Sequence, residues 1–151
     1  MEKYYKIEKI KEINCRYLEE LQKTSSYEPI WKKSDLTRFL KNKSNFSILC
    51  SLDEKIIGFC MCQKILDSLE ICILVIQKNC RSQGLGKIIF EEILKFCKKK
   101  RIKKILLEVK FENKAALSFY KSLNFKKVGI RKNYYNISKK KSDALLMDLK
   151  L

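Results

Sequence analysis

Ile73-Leu74-Val75-Ile76-Gln77-Lys78-Asn79-Cys80-Arg81-Ser82-Gln83-Gly84-Leu85-Gly86-Lys87 is the stretch that organises the chain. An aliphatic run stops at polar residues, two glycines bracket Leu85, and a long amphipathic pattern begins at once. Strand, glycine turn and helix start together present free backbone N–H groups to an anion. The first turn of a helix has donors without intrahelical partners, and the aligned peptide dipoles place partial positive charge there. Gly84 and Gly86 carry no side chain to block a phosphate. A phosphate-bearing cofactor on this turn is the first expectation.

Two common phosphate loops do not fit. The dinucleotide fingerprint needs a third glycine where Ile89 stands. The nucleoside-triphosphate loop needs a glycine at Arg81 and a hydroxyl at Ile88. What remains is Arg-x-x-Gly-x-Gly.

Upstream of the turn, 46–51, 56–63 and 68–76 read as strands separated by polar turns, an antiparallel meander. Downstream, a helix over 84–100 is expected to bury Leu85, Ile88, Ile89, Ile93 and Phe96, with Glu91 and Lys95 paired across one turn. A strand over 102–111 follows, and a strand–helix–strand crossover implies that it runs parallel to the strand before the turn. Asn113 caps a further helix with Ala116, Leu117 and Tyr120 inward, and Asn124 suits a left-handed C-terminal cap. Residues 125–130 are strand-like, 132–142 read as a polar loop, and 143–151 form the last strand. Ahead of the meander, a short strand passes into a helical pattern at Ile7, Ile10, Ile13, Leu18 and Leu21. Pro29 lies in a break, and Ser34 is placed to cap a short helix carrying Leu36, Phe39 and Leu40. The expected class is α/β (α+β), a mixed sheet of about six to seven strands flanked by about four helices.

At 151 residues, 46% hydrophobic and with one proline, the chain reads as one folded domain over 1–151. Runs such as 71–76 are too short to span a bilayer, and Met1 to Lys6 lack an apolar signal core, so no membrane partner and a cytoplasmic location are expected. Seven cysteines without a Cys-x-x-Cys, and no histidine, argue against a metal site, a disulfide framework and Ser-His or Cys-His nucleophiles. The net charge of +17 reads either as a general lysine-rich surface or as proximity to ribosomal or other RNA.

Glu108 is anomalous, because it interrupts Ile105-Leu106-Leu107 and Val109 on a strand expected to be covered on both faces. Burial disfavours an ionised carboxylate, which suits a general base or acid. Tyr120 faces inward on the next helix. A phenol there is either a core tyrosine or a proton donor to a departing thiolate.

The glycine turn resembles the pyrophosphate motif of the GNAT acetyltransferase superfamily. Residues 106–125 and Arg131-Lys132-Asn133-Tyr134-Tyr135 are similar, within it, to the bacterial RimI-type enzymes. The likeness covers 68–151 well and is weaker upstream, where Glu28-Pro29-Ile30-Trp31 approximates a Pro-Trp. It implies a GNAT fold and acetyl-CoA as cosubstrate. The implied acceptor is a protein N-terminal α-amine, that of a small-subunit ribosomal protein in the RimI case. It further implies that the backbone of Leu74, Val75 and Ile76 pairs with the pantetheine arm. Arg81, Ser82, Gln83, Gly84, Leu85, Gly86 and Lys87 would hold the pyrophosphate, with Asn113 also touching the cofactor. Glu108 would be the base, Tyr120 the acid, and Tyr134 and Tyr135 the walls of a peptide groove. Ser82 stands where the family commonly has a basic residue. The alternatives are a lysine or small-amine acceptor, and an RNA-binding module on a degenerate version of the fold.

Overall fold

The computed structural model of the chain describes residues 3–137 and 139–151. Met1 and Glu2, in the charged N-terminal stretch, and Ser138, in the expected polar loop, lie outside the described residues. The elements are β1 (Lys6–Lys9), α1 (Cys15–Thr24), α2 (Lys33–Leu40), β2 (Phe46–Leu52), β3 (Lys55–Ile65), β4 (Ser68–Ile76), α3 (Leu85–Lys100), β5 (Lys104–Lys110), α4 (Lys114–Ser122), β6 (Lys126–Ile137) and β7 (Lys140–Lys150).

All seven strands join one mixed sheet in the order β1-β2-β3-β4-β5-β7-β6. β1 adds antiparallel to the outer edge of β2, and β2 to β4 form the expected antiparallel meander. Its first turn holds Asp53 and Glu54 at φ 49° and 64°, the left-handed pair of a two-residue hairpin. The α3 crossover makes β4 and β5 parallel, and β7 inserts between β5 and β6, antiparallel to both. One core lies under α3 and α4, where Ile89, Ile93, Leu117 and Tyr120 meet Ile105 and Leu107. The other lies under α1 and α2, where Leu18, Leu21 and Leu36 meet Phe59, Met61 and Ile73. Each such side chain contributes roughly 1.5–3 kcal/mol on burial. Coverage on both faces explains why β3 and β4 read as apolar runs rather than alternations.

Asn113 caps α4 by accepting the Ala116 N–H at 3.1 Å, and Asn124 is left-handed at φ 67°, both as expected. Several expectations need correction. The helical spacing read at Ile7, Ile10 and Ile13 is not helix: Ile7 lies in β1, Ile10 follows it, and Ile13 is 85% exposed in the turn before α1, which begins only at Cys15. Asp35 caps α2 in place of Ser34, its Oδ2 accepting the Lys32 N–H at 3.1 Å. Lys95 pairs with Glu92 at 2.6 Å, and Phe90 and Cys97 are buried in α3 where Ile88 and Phe96 are only partly so. Residues 132–142 are mostly hairpin: β6 runs on to Ile137 and β7 begins at Lys140. Register shifts after Lys127 and after Arg131 break the two-residue alternation there, which hid the strand from a periodicity reading. All seven cysteines are free thiols, and five of them are buried.

Candidate active site

The β4–β5 ladder is short, running from Ser68↔Lys104 to Ile71↔Leu107. It ends at a bulge: Ile71 pairs with Cys62 and Ile73 with Met61, so Cys72 has no partner on β3. The extra residue turns the strand over, placing Leu69 and Ile71 in the core under α3 but Ile73 and Val75 in the core under α1. Beyond it, Leu74, Val75 and Ile76 stay paired to β3 while Glu108, Val109 and Lys110 stay paired to β7. The facing edges of β4 and β5 therefore part, and β4 offers backbone groups without a ladder partner. An extended arm bearing amides can add to such an edge as a strand does.

The glycine turn sits at the open end of this gap. Gly84 has φ 85° as the N-cap of α3, and a Cβ there would meet nothing within 4 Å. The N–H groups of Lys87 and Ile88 bond back to the Gly84 carbonyl at 3.0 and 3.2 Å. Those of Leu85 and Gly86 precede any intrahelical acceptor and point out of the helix start. Two free donors at a helix start, beside the open side of Gly84, suit an anion.

Gly86 has a different reason. A Cβ there would lie 2.8 and 2.9 Å from the Phe119 ring of α4, so the missing side chain makes room for that ring. Gly86→Ala is expected to destabilise the protein by about 1–3 kcal/mol, the range for overpacking. Denaturant unfolding measures it, and an unchanged midpoint would mean that Phe119 swings aside freely.

Arg81 donates from Nε to the Ile76 carbonyl at 2.9 Å and from Nη2 to the Ser25 carbonyl at 2.7 Å. It ties the glycine turn to the α1–α2 connection, occupies the Ile76 carbonyl, and leaves its remaining N–H groups for a phosphate. Ser82 is exposed at φ 59°, Gln83 donates to the Asn79 carbonyl at 2.8 Å, and Lys87 is exposed on α3. The Asn113 oxygen is used in its cap, so the amide nitrogen is what it offers a ligand.

Glu108 is the first β5 residue past the last β4 pair, on the face covered by α1 and α2. Its side chain is 18% exposed, with Oε1 3.3 Å from Arg131 Nη2. Arg131 also lies 5.1 Å from the centre of the Tyr134 ring, which meets Tyr135 edge-on. Burial, and then the charge of Glu108, push the Tyr135 phenol up to about 12.

Glu70 stands opposite Leu106 on β4, one strand across from Glu108. Burial raises its pKa, and the Glu108 carboxylate adds to the rise while Arg131 opposes it. The folded chain thus holds the Glu70 proton more tightly than the unfolded chain. That contribution to stability is present at low pH and is lost as pH rises through the raised pKa. Glu70→Gln is therefore expected to melt above the parent at neutral pH, with the gap closing as pH falls below the usual carboxylate pKa of about 4.3. Calorimetry across this range reads it, and a gap independent of pH would contradict it.

Tyr120 is 7% exposed, and its pKa is raised well above that of a free phenol by burial and then by Cys60, Tyr27 and Cys62. Its ring packs on Phe119 and Phe125, and among the described residues its hydroxyl makes no hydrogen bond. Tyr27 comes from the α1–α2 connection, which buried Gln22 pins by a paired bond with the Trp31 backbone at 2.9 and 2.7 Å. Tyr27 packs in the core under α1 and Tyr120 in the core under α3, and the charge of an ionised Tyr27 would add to the rise in the Tyr120 pKa. Tyr120 thus lies on the face under α3 and α4, and Glu108, just past the last β4–β5 pair, lies on the opposite face.

The geometry is thus a helix start with free N–H donors, an open strand edge, and a carboxylate and a phenol on opposite faces of the sheet. The acetyltransferase (GNAT) family model matches residues 7–125. The chain belongs to the GNAT acetyltransferase family. As a GNAT enzyme it is similar to a Bacillus subtilis (strain 168) protein provisionally assigned as a [ribosomal protein bS18]-alanine N-acetyltransferase. That likeness is 30% identity over 128 residues, 85% of this chain and 83% of the relative. The [ribosomal protein bS18]-alanine N-acetyltransferase of Escherichia coli (strain K12) is 32% identical over 95 residues, 63% of this chain and 64% of the relative. The fold agrees with the crystal structure of the ribosomal-protein-S18-alanine N-acetyltransferase from Escherichia coli at a TM-score of 0.88, with 22% identity over 97% of this chain and 94% of that one. It agrees too with a Thermoplasma acidophilum paiA N-acetyltransferase in complex with coenzyme A, at a TM-score of 0.81 and 22% identity over 98% and 99%. Among the described residues no helix of this GNAT chain is long and apolar enough to cross a membrane.

Glu70, Arg131 and Tyr27 were not singled out as site residues from sequence. Glu70 carried a readable signal, a carboxylate between Leu69 and Ile71 that mirrors Glu108. Arg131 and Tyr27 carried none, since only the fold brings them to the gap.

Proposed function

We propose that this acetyltransferase uses acetyl-CoA to acetylate the N-terminal α-amine of a small-subunit ribosomal protein, bS18 being the acceptor in the names of its relatives. The observation that supports the reading is the parting of β4 from β5 beyond Ile71↔Leu107, which leaves an open β4 edge leading to the Gly84 helix start, with Glu108 as the first β5 residue past that pair. Leu74 and Val75 bind the pantetheine arm along the β4 edge, and the N–H groups of Leu85 and Gly86 with Arg81 and Lys87 hold the diphosphate. Acetyl-CoA supplies an activated thioester. Glu108 takes a proton from the acceptor nitrogen at a carboxylate oxygen, and Arg131 keeps that carboxylate oriented. The Tyr120 hydroxyl donates toward the departing sulfur. Because burial holds its proton tightly, Tyr120 acts chiefly by hydrogen bonding to the sulfur as the carbon–sulfur bond breaks, keeping its own proton.

An α-amine has a pKa of about 7.7–8.0 against about 10.4 for lysine, so one carboxylate more readily yields the neutral nucleophile from an N-terminus. Tyr134 and Tyr135 line the acceptor groove with Tyr27 opposite. A ribosomal acceptor implies a cytoplasmic reaction.

The test is mass spectrometry after incubation with acetyl-CoA and synthetic peptides that begin with the bS18 N-terminus. An acetylated α-amine is expected. Peptides with a blocked N-terminus and free lysines should stay unmodified, and acetylation of those alone would replace the acceptor. No acetylation of either kind would remove the proposal.

A further inference from the structure

The glycine turn is at one end of α3, and a cleft of about 660 Å³ lies at the other. The 16 residues of α3, at about 1.5 Å each, put some two dozen ångströms between them. The cleft is walled by the segment after β1, the C-terminal end of α2, the start of β2 and the last turn of α3. Its lining includes three phenylalanines, Phe39 and the pair Phe46 and Phe96, whose ring centres are 4.9 Å apart. Its rim carries Lys9, Lys11, Lys41, Lys43, Lys99 and Lys100, against the single carboxylate of Glu12. None of the six ammonium groups forms an ion pair among the described residues. A more open depression continues past Thr37 and Lys41 and adds Lys33 and Arg38.

We propose that this cleft binds single-stranded RNA. Unneutralised cations ringing a concavity call for a polyanion. An acidic peptide would satisfy the rim but leave the phenylalanines without a matching group. Unpaired bases stack on aromatic rings while their phosphates follow the lysines, and a duplex, with its bases already paired, cannot stack on them. The site is remote from the gap between β4 and β5, so it serves to dock the enzyme beside an RNA-bearing acceptor without touching the chemistry. The inference does not depend on the identity of that acceptor.

The probe is a fluorescein-labelled oligouridylate of about twelve nucleotides, followed by anisotropy across a salt series. Neutralisation of six phosphates predicts a slope of about −4 in log affinity against log salt. Lys41→Glu, Lys43→Glu and Lys99→Glu together should weaken binding at least tenfold (~1.4 kcal/mol). The charge-matched set Lys121→Glu, Lys126→Glu and Lys127→Glu, exposed on α4 and β6, should change it far less. Acetylation of a free peptide should be the same in both triple variants, which separates this site from the catalytic one. Equal weakening by the two sets would reduce the cleft to bulk charge and overturn the proposal. So would duplex RNA or polyglutamate binding as tightly as the single strand.

Discussion

Glu108→Gln is expected to lower kcat by about 10²–10⁴-fold, the usual contribution of a positioned general base. The substitution keeps the shape of the side chain and removes only its capacity to accept a proton. Its surroundings should tolerate the change. The strand stays bonded to β7 through Leu146, and the Arg131 guanidinium, 53% exposed, is hydrated when its partner loses charge. Affinity for acetyl-CoA should hardly move, because the Gly84 turn and the open edge of β4 lie across the gap from the carboxylate. Steady-state kinetics with calorimetric titration of acetyl-CoA measures both quantities. Parental turnover in the variant would take the base role away from Glu108.

Gly84→Val should do the reverse, abolishing cofactor binding in a chain that still folds. At φ 85° a β-branched residue is strained by about 1–3 kcal/mol. Its methyl groups would also project into the open space beside Gly84, where a Cβ meets nothing within 4 Å, and crowd a ligand approaching the helix start. A moderate fall in melting temperature with no detectable acetyl-CoA binding is the expected pair of results. Binding at parental affinity would show that the diphosphate rests elsewhere. The contrast with Gly86→Ala is instructive. Two glycines of one motif answer to different neighbours, open solvent in one case and the Phe119 ring in the other. Sequence spacing treats them alike.

The same division runs through the site. Glu108 and Tyr120 could be read from the chain because each conflicts with its local pattern, a carboxylate within an aliphatic strand and a phenol on an inward helix face. Glu70 breaks its strand in the same way, but it becomes relevant only when the parallel register sets it opposite Leu106 and beside Glu108. Arg131 is one of many cations in a lysine-rich chain. Its place against Glu108 depends on β7 inserting between β5 and β6 and on the shift in register after Lys127, which turns Arg131 to the face of Glu108. Tyr27 depends on Gln22, whose buried amide pins a segment that sequence describes only as a break.

Local physics therefore determined much from sequence alone: the meander, the crossover helix, the parallel return strand and the asparagine caps. Each follows from side-chain periodicity or from backbone conformations that few residues adopt. Tertiary structure decided what the site is made of. The Cys72 bulge turns β4 over one residue after its last pair with β5, and that single extra residue opens the gap. A bulge is a mismatch between two strands, so it has no signature in either strand by itself. For the same reason the gap, and the arrangement of residues around it, exist only once the sheet has formed.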